Sequence, residues 1–326
     1  MAIVRIVALG IYAVPLLIIG GSACGQTALT GTVQAYPIKP VRVVTSDAGG
    51  GNDFAARLIA PVLAEGLGQQ IIIDNRGAAL VAQLVAKAPP DGYTIAFAGT
   101  TLWLAPFLRE SVAYDPVRDF APVTLALRQP TVLVVHPSLP VKSVKDLITL
   151  AKSRPGEINC ASGPIAGPQH LTGELFKAMA GIKIVVIPYR GAGPGINALV
   201  GGHVHLMFPS PGSVAQHVKS GRLRALGVTS AQRSALLPDL PPVADAVPGY
   251  ESMSLVGVFV PVATPATIVG RLNQEMLKAL NRSEVKDALL KTGVEAVGTT
   301  PEQLGAIVKT EMTKWGNLIK TANIRE

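Results

Sequence analysis

An α/β protein built as two lobes is what this sequence predicts, and three observations predict it. Between residues 41 and 98, short β-branched runs alternate with helix-length amphipathic segments. The alternation restarts between residues 158 and 229. A further apolar run, Leu255 to Val260, follows the second series and is expected to return to the first sheet. Strands that alternate with helices in this way form βαβ units with parallel pairing. A chain that leaves one sheet and comes back to it makes two lobes joined by crossing strands.

The elements follow in order. Val41 to Thr45 reads as a buried strand. Gly49-Gly50-Gly51 ends it, and Asn52 or Asp53 has the residue type of a helix N-cap. The helix runs from about Asp53 to Leu67 and stops at Gly68; Gln70 to Asp74 is the next strand. Leu80 to Lys87 is helical and Tyr93 to Ala98 is a third strand. Tyr114-Asp115-Pro116 and Phe120-Ala121-Pro122 mark loops, and Thr131 to Val135 is a strand. Ser143 caps a helix over Val144 to Ser153. The second series has strands at 158–161, 184–187, 204–208 and 223–229, with helices at 169–179, 195–200 and 213–219. Helices over 265–280 and 301–319 close the chain, the last with Thr300 as cap and Pro301 at its first position.

The expected organisation is a leader over 1–35, a first lobe over 36–128 with a returning segment 252–300, and a second lobe over 129–251. The helix beyond Pro301 is assigned to neither lobe. Arg5 is the only charge before Lys39, and Ile6 to Gly20 is almost wholly apolar, which is the layout of a secretory signal. Cleavage after Ala35 is preferred; lipidation at Cys24 ranks second, and a retained span is disfavoured by the short apolar core. The periplasm is the expected location. Without the leader, only Cys160 remains, so no internal disulfide is expected.

At 326 residues, with 48% hydrophobic and 15% charged, the chain can bury large cores and is not of disordered type. Its net charge of +8 falls to +7 without Arg5. The basic residues are scattered and aromatics are only 5%, so a nucleic-acid partner is not expected.

The chemistry concentrates at the glycine turn. Strand, glycines and helix start aim unpaired N–H groups at one point, and the helix dipole adds about half a positive charge. Such a point suits a carboxylate or phosphate. The alternative is a tight turn using glycine for backbone freedom alone. The turn lacks the Lys-Ser/Thr of a P-loop and the G-x-G-x-x-G spacing of dinucleotide folds. Ser162 and His170 have the residue types of a nucleophile and base, but no nucleophile elbow surrounds Ser162 and no acid orients His170. His203 and His205 share a strand face but lack further ligands for a metal. No enzyme activity, cofactor or metal is therefore expected. Trp103, after Gly99-Thr100-Thr101, reads as packing before cleft lining.

The chain resembles the Bug family, the TctC-type substrate-binding proteins of tripartite tricarboxylate transporters. The resemblance rests on Tyr36-Pro37, Gly49-Gly50 through Asp53, Asn75-Arg76, Pro90-Asp91-Gly92-Tyr93-Thr94 and the run Tyr114 to Val123. It continues through Val134 to Pro140, Gln169-His170-Leu171, Pro188-Tyr189-Arg190-Gly191, Leu199-Val200-Gly201-Gly202 and Arg224 to Ser230. It implies a two-lobed, periplasmic-binding-protein (Venus flytrap, type II-like) fold, monomeric, that carries a small carboxylate to transporter membrane subunits. The alternative role is as the ligand-carrying part of a sensor system docking to a kinase. The resemblance places ligand contacts on a first turn, with Ser46, Gly49, Gly50, Gly51, Asn52 and Asp53, and on Thr100 nearby. It places others on a second turn, with Ser162, Gly163, Gly167, Gln169 and His170, and on Tyr189 and Gly191. In several respects the chain departs from the family. Asp47-Ala48 replaces a proline-rich pair, and the loop at Gly77-Ala78-Ala79 is about three residues shorter. Pro164 to Pro168 replaces a polar loop, His205 stands for an aspartate, and Pro209 for an acid. These point to a less polar ligand, a monocarboxylate or aromatic acid.

Overall fold

The computed structural model describes residues 36–46, 48–234 and 237–324. The expected leader with Arg5 and Cys24, the cleavage position after Ala35, and Asp47 lie outside the described residues.

The first sheet starts as sequence patterning predicts. β1 (Val41–Thr45) pairs in parallel with β2 (Ile71–Asn75) and β3 (Thr94–Gly99), so the order is β2-β1-β3. Its Val41, Val43 and Val44 are buried. α1 (Gly51–Leu67) connects β1 to β2 and ends at Gly68, whose φ of +68° lets its N–H close on the Ala64 carbonyl. A Cβ there would be strained, which is why glycine stops this helix. α2 (Ala78–Ala86) and α3 (Thr101–Leu108) pack on the opposite face of the sheet from α1.

Beyond β3 the sheet turns antiparallel. β10 (Met253–Pro261) lies against β3 as the returning strand, and β4 (Phe120–Pro130) lies against β10. A two-residue β11 (Glu295–Ala296) covers the edge of β4. The loop expected at Phe120 to Pro122 is therefore the start of an 11-residue strand. Thr124 pairs with Val258 but Pro122 with Phe259, leaving Val123 as an extra residue in a bulge. A bulge is one of the few places where a strand tolerates proline, which has no N–H to give.

The second sheet has the order β7-β6-β8-β5-β9. β6 (Asn159–Ser162) pairs in parallel with β7 (Val185–Pro188) and β8 (Leu206–Met207). β5 (Val132–Val135) is antiparallel to both β8 and β9 (Arg224–Val228). The βαβ pattern thus holds for β6 to β8, but the sheet is mixed because the entering strand inserts between β8 and β9. The strand expected over 204–208 pairs only at Leu206 and Met207. Helices α4 (Val144–Ser153), α5 (Pro168–Ala180), α6 (Ala192–Val200) and α7 (Pro211–Lys219) accompany this sheet. α8 (Ala266–Asn281), α9 (Ser283–Lys291) and α10 (Pro301–Thr321) complete the chain. α10 lies across β4 and α3 and reaches α5.

Among the described residues, two chain segments cross between the sheets, after β4 and after β9, and they are tied together. The Thr131 N–H donates to Thr229 Oγ1 at 2.8 Å, and the Thr229 N–H donates to the Thr131 carbonyl at 3.0 Å. Both threonines are buried. The Ser252 N–H then donates to the Thr229 carbonyl at 2.9 Å. Among the described residues, no helix is long and apolar enough to cross a membrane.

Candidate ligand-binding cleft

Helix starts converge at the C-terminal edge of the first sheet, around a cavity of about 230 Å³. Ser46 lines it from the end of β1, and Asn52 from the first turn of α1. Ala78 is the first residue of α2, Thr101 the first of α3, and Pro168 the first of α5; all three line it too. The remaining wall is Val81, Ala98, Gly99 and Thr100, with Ser254 and Val256 from β10. Four helices therefore present first-turn residues to one small space.

None of these four has a side chain capping its N-terminus: the N-cap residues are Gly50, Gly77, Thr100 and Gly167. Away from the cavity, α4 and α10 are capped by Ser143 and Thr300, the latter as a full capping box. Uncapped first-turn N–H groups are donors without an intrahelical acceptor. Each helix adds about half a positive charge at that end. None of the described lining residues is charged. At Asn52, Ala78 and Thr101 an anion placed here meets neutral donors, while Pro168 has no N–H to give; no buried counter-ion is present in the lining, so the desolvation cost of a buried ion pair does not arise. Val81, Ala98 and Val256 make the rest of the wall apolar.

The first turn is held by a network that sequence reasoning read incompletely. Asp53, expected as a possible N-cap, is the third residue of α1, in its first turn; the helix begins earlier, with Gly50 as the N-cap. The Asp53 carboxylate accepts the Gly49 N–H at 2.9 Å, Asn75 Nδ2 at 2.9 Å and Arg57 Nε at 2.8 Å. Asn75 Nδ2 also donates to the Ser46 carbonyl at 2.8 Å, and Arg57 Nη2 donates to Asn75 Oδ1 at 2.9 Å. These donors, the Gly49 N–H first, hold the Asp53 carboxyl below the usual carboxylate range. Its charge is occupied in bracing the loop. Gly49 has φ +78°, which requires a residue without a Cβ. Gly51 has open space where a Cβ would stand. Asn75 and Arg57 carry this support; their signal in the sequence was the Asn75-Arg76 motif and the i,i+4 spacing of Asp53 and Arg57.

On the second turn the structure brings only Pro168 to the cavity wall. Ser162 is wholly buried, and its hydroxyl donates to the Gly163 carbonyl at 2.9 Å. A Cβ on Gly163 would lie 3.0 Å from Gln169 Oε1, so the Gln169 side chain is folded back on the turn. Gly167 donates its N–H to the Pro164 carbonyl at 3.0 Å. His170 is buried, with Nδ1 lacking a hydrogen-bond partner; burial pushes its pKa below the ordinary value, opposed by Glu174. Tyr189 is half-buried against the third core cluster, and its N–H donates to the Ser162 carbonyl at 3.0 Å. Gly191, at φ +106°, starts α6. Of the expected contacts, Ser46, Asn52 and Thr100 line the cavity; Gly49, Gly50, Gly51 and Asp53 shape its first turn. Ala78, Thr101 and Ser254 were not foreseen: an alanine starting a helix and a lone serine on a strand carry no distinctive pattern.

Trp103 is fully buried beside Phe259, with ring centroids 6.0 Å apart, and belongs to the core. Larger hollows lie elsewhere, such as one of about 520 Å³ along α10 lined by Phe107, Val117 and Lys309. No helix starts converge there. Among the described residues no three His, Cys, Asp or Glu stand close enough to hold a metal.

Residues 55–324 match the family described as the tripartite tricarboxylate transporter family receptor, TctC. The chain belongs to the TctC family. A Pseudomonas sp. (strain P51) relative, named as a UPF0065 protein in the tcbD-tcbE intergenic region, is 38% identical over 311 residues, covering 93% of each chain. A solved R. palustris protein with adipate is 37% identical, with a TM-score of 0.74 over 89% of this chain and all of that one. MatC from Rhodopseudomonas palustris, with bound malate, is 29% identical, with a TM-score of 0.71 over 87% of this chain and all of that one. TctC-type proteins are periplasmic solute-binding receptors with two lobes, and this TctC chain has their mixed α/β architecture of two sheets.

Proposed function

We propose that this TctC-family protein captures a small carboxylate in the cleft at Ser46, Asn52 and Thr101, and delivers it to the membrane subunits of a tripartite transporter. The observation that carries this reading is the meeting of four uncapped helix N-termini at a cavity whose described lining has no charge. Hydrogen bonds to a charged group contribute roughly 1.5–3 kcal/mol each, so a few such donors set the affinity. Adipate and malate in the solved relatives support the carboxylate class.

The two lobes are the two sheets, with boundaries near 36–128 plus 252–300 and 129–251. The tied segments at Thr131 and Thr229 form the hinge. Closure about them brings Ser162 to His170, Tyr189 and Gly191 toward a ligand first held by the helix starts of the other lobe. The protein is exported by its leader, acts as a monomer, and holds its solute without turnover, cofactor or metal.

Calorimetry with a panel of carboxylic acids and their amides tests this. Acids should bind and amides should lose most of the affinity. Equal binding of acid and amide would remove the anion from the account.

A further inference from the structure

The loop between β6 and α5 holds the only residue other than glycine and Asn323 with a left-handed backbone among the described residues. The Gly167 N–H bonded to the Pro164 carbonyl closes a four-residue turn over 164–167. Ala166 stands at its third position with φ +62°. That conformation favours glycine, and a Cβ there is strained. What holds it is packing: Ala166 is 3% exposed and belongs to the main core cluster. With Ala166 anchored inward, Ile165 is left 47% exposed to solvent. The next residue, Pro168, begins α5 and is the one second-lobe residue on the cavity wall. The side chains of Pro164, Ile165, Ala166 and Pro168 have no hydrogen-bond donor. Across the cavity the first lobe offers Val81, Ala98 and Val256.

We infer that Ile165 is a specificity-determining residue: when the lobes close, it seats on the hydrocarbon body of the bound acid, against the wall of Val81, Ala98 and Val256. The strained turn holds Ile165 three residues before Pro168 of the cavity wall. The protein therefore selects acids with an apolar body beside the carboxylate over small, hydroxyl-rich ones. This inference rests on the carboxylate reading above.

The test is calorimetry with acetate, butyrate, hexanoate and hexanamide, on wild type, Ile165→Ser, Ile165→Val and Ala166→Gly. Ile165 is exposed, so thermal melts should show all of its variants folded. For wild type, affinity should rise about fourfold for each methylene buried. Ile165→Ser should weaken hexanoate about tenfold and acetate less than about twofold, flattening the chain-length slope. Ile165→Val should fall between, and Ala166→Gly, which keeps the turn geometry, should retain the wild-type slope. An equal loss for acetate and hexanoate, or no loss for either, overturns the assignment while the carboxylate reading stands. Wild type binding none of the acids, or hexanamide as well as hexanoate, overturns the carboxylate reading and this assignment with it.

Discussion

Gly51→Asp isolates the electrostatic part of the proposed site. Gly51 is the first residue of α1, has no left-handed φ, and has nothing within 4 Å of where a Cβ would stand. The aspartate therefore fits without moving the backbone. Glycine in a helix costs roughly 0.5–1 kcal/mol relative to alanine, and an acid in the first turn gains roughly 0.3–1 kcal/mol from the dipole. The variant should be as stable as wild type or more so, with a melting temperature unchanged or up to about 3 °C higher. The ligand should see the reverse effect. A carboxylate held by the first-turn N–H groups would stand roughly 6 Å from the new charge, and at an effective dielectric near 20 the repulsion is about 3 kcal/mol. That corresponds to an affinity about 100-fold weaker. Gly51→Asn has nearly the same shape and no charge, so it should lose far less. Calorimetry on both variants, with melts alongside, gives the answer. If Gly51→Asp binds carboxylates within about threefold of wild type, the start of α1 does not face the ligand anion and the reasoning fails.

Three further outcomes are expected. Asn75→Ala removes donors to both Ser46 and Asp53; affinity should drop about tenfold with a stability loss of about 1–2 kcal/mol in urea, and wild-type affinity would show the turn to be self-supporting. Thr229→Val strips the acceptor from the buried Thr131 N–H; an orphaned donor costs about 1–3 kcal/mol, read as a lower urea midpoint, whereas no shift would mean that the crossing is not held there. The Asp53 carboxyl titrates below its ordinary 3.8 in the fold, so its contribution to stability is complete above that value and is lost as pH falls through the lower folded value. The His170 ring titrates below 6.5, so the unfolded chain takes up its proton first and stability falls as pH drops below 6.5. Denaturation midpoints should decline as pH falls below 6.5, less so in His170→Gln, and again at acid pH below 3.8, less so in Asp53→Asn.

Most of the fold was legible because it rests on local periodicity. The buried valines of β1, the glycine stop at Gly68, and the Ser143 and Thr300 caps are each decided by neighbours in the chain. α3 was missed because it is apolar all round and contains Pro106, so it has no polar face to mark a helical period. β4 was missed because Pro122 reads as a breaker, and only its pairing with β10 reveals the bulge that accommodates it. In the second lobe, short range suffices for β6 to β8, but no local signal says that β5 will insert antiparallel between β8 and β9.

The site divides in the same way. A glycine turn before a helix marks a candidate anion site in one dimension, and Ser46, Gly49 to Asp53 and Thr100 could be named from it and from family likeness. That Asp53 turns back onto Gly49, Asn75 and Arg57 depends on a strand 22 residues away, and only folding brings that partner within reach. The convergence of α1, α2, α3 and α5 is likewise a property of the assembled sheets. Periodicity and turn chemistry act over a few residues, so the sequence by itself determined which segments become strands, helices and glycine turns. Strand order and the meeting of helix ends depend on contacts between distant segments, and those the tertiary structure alone decided.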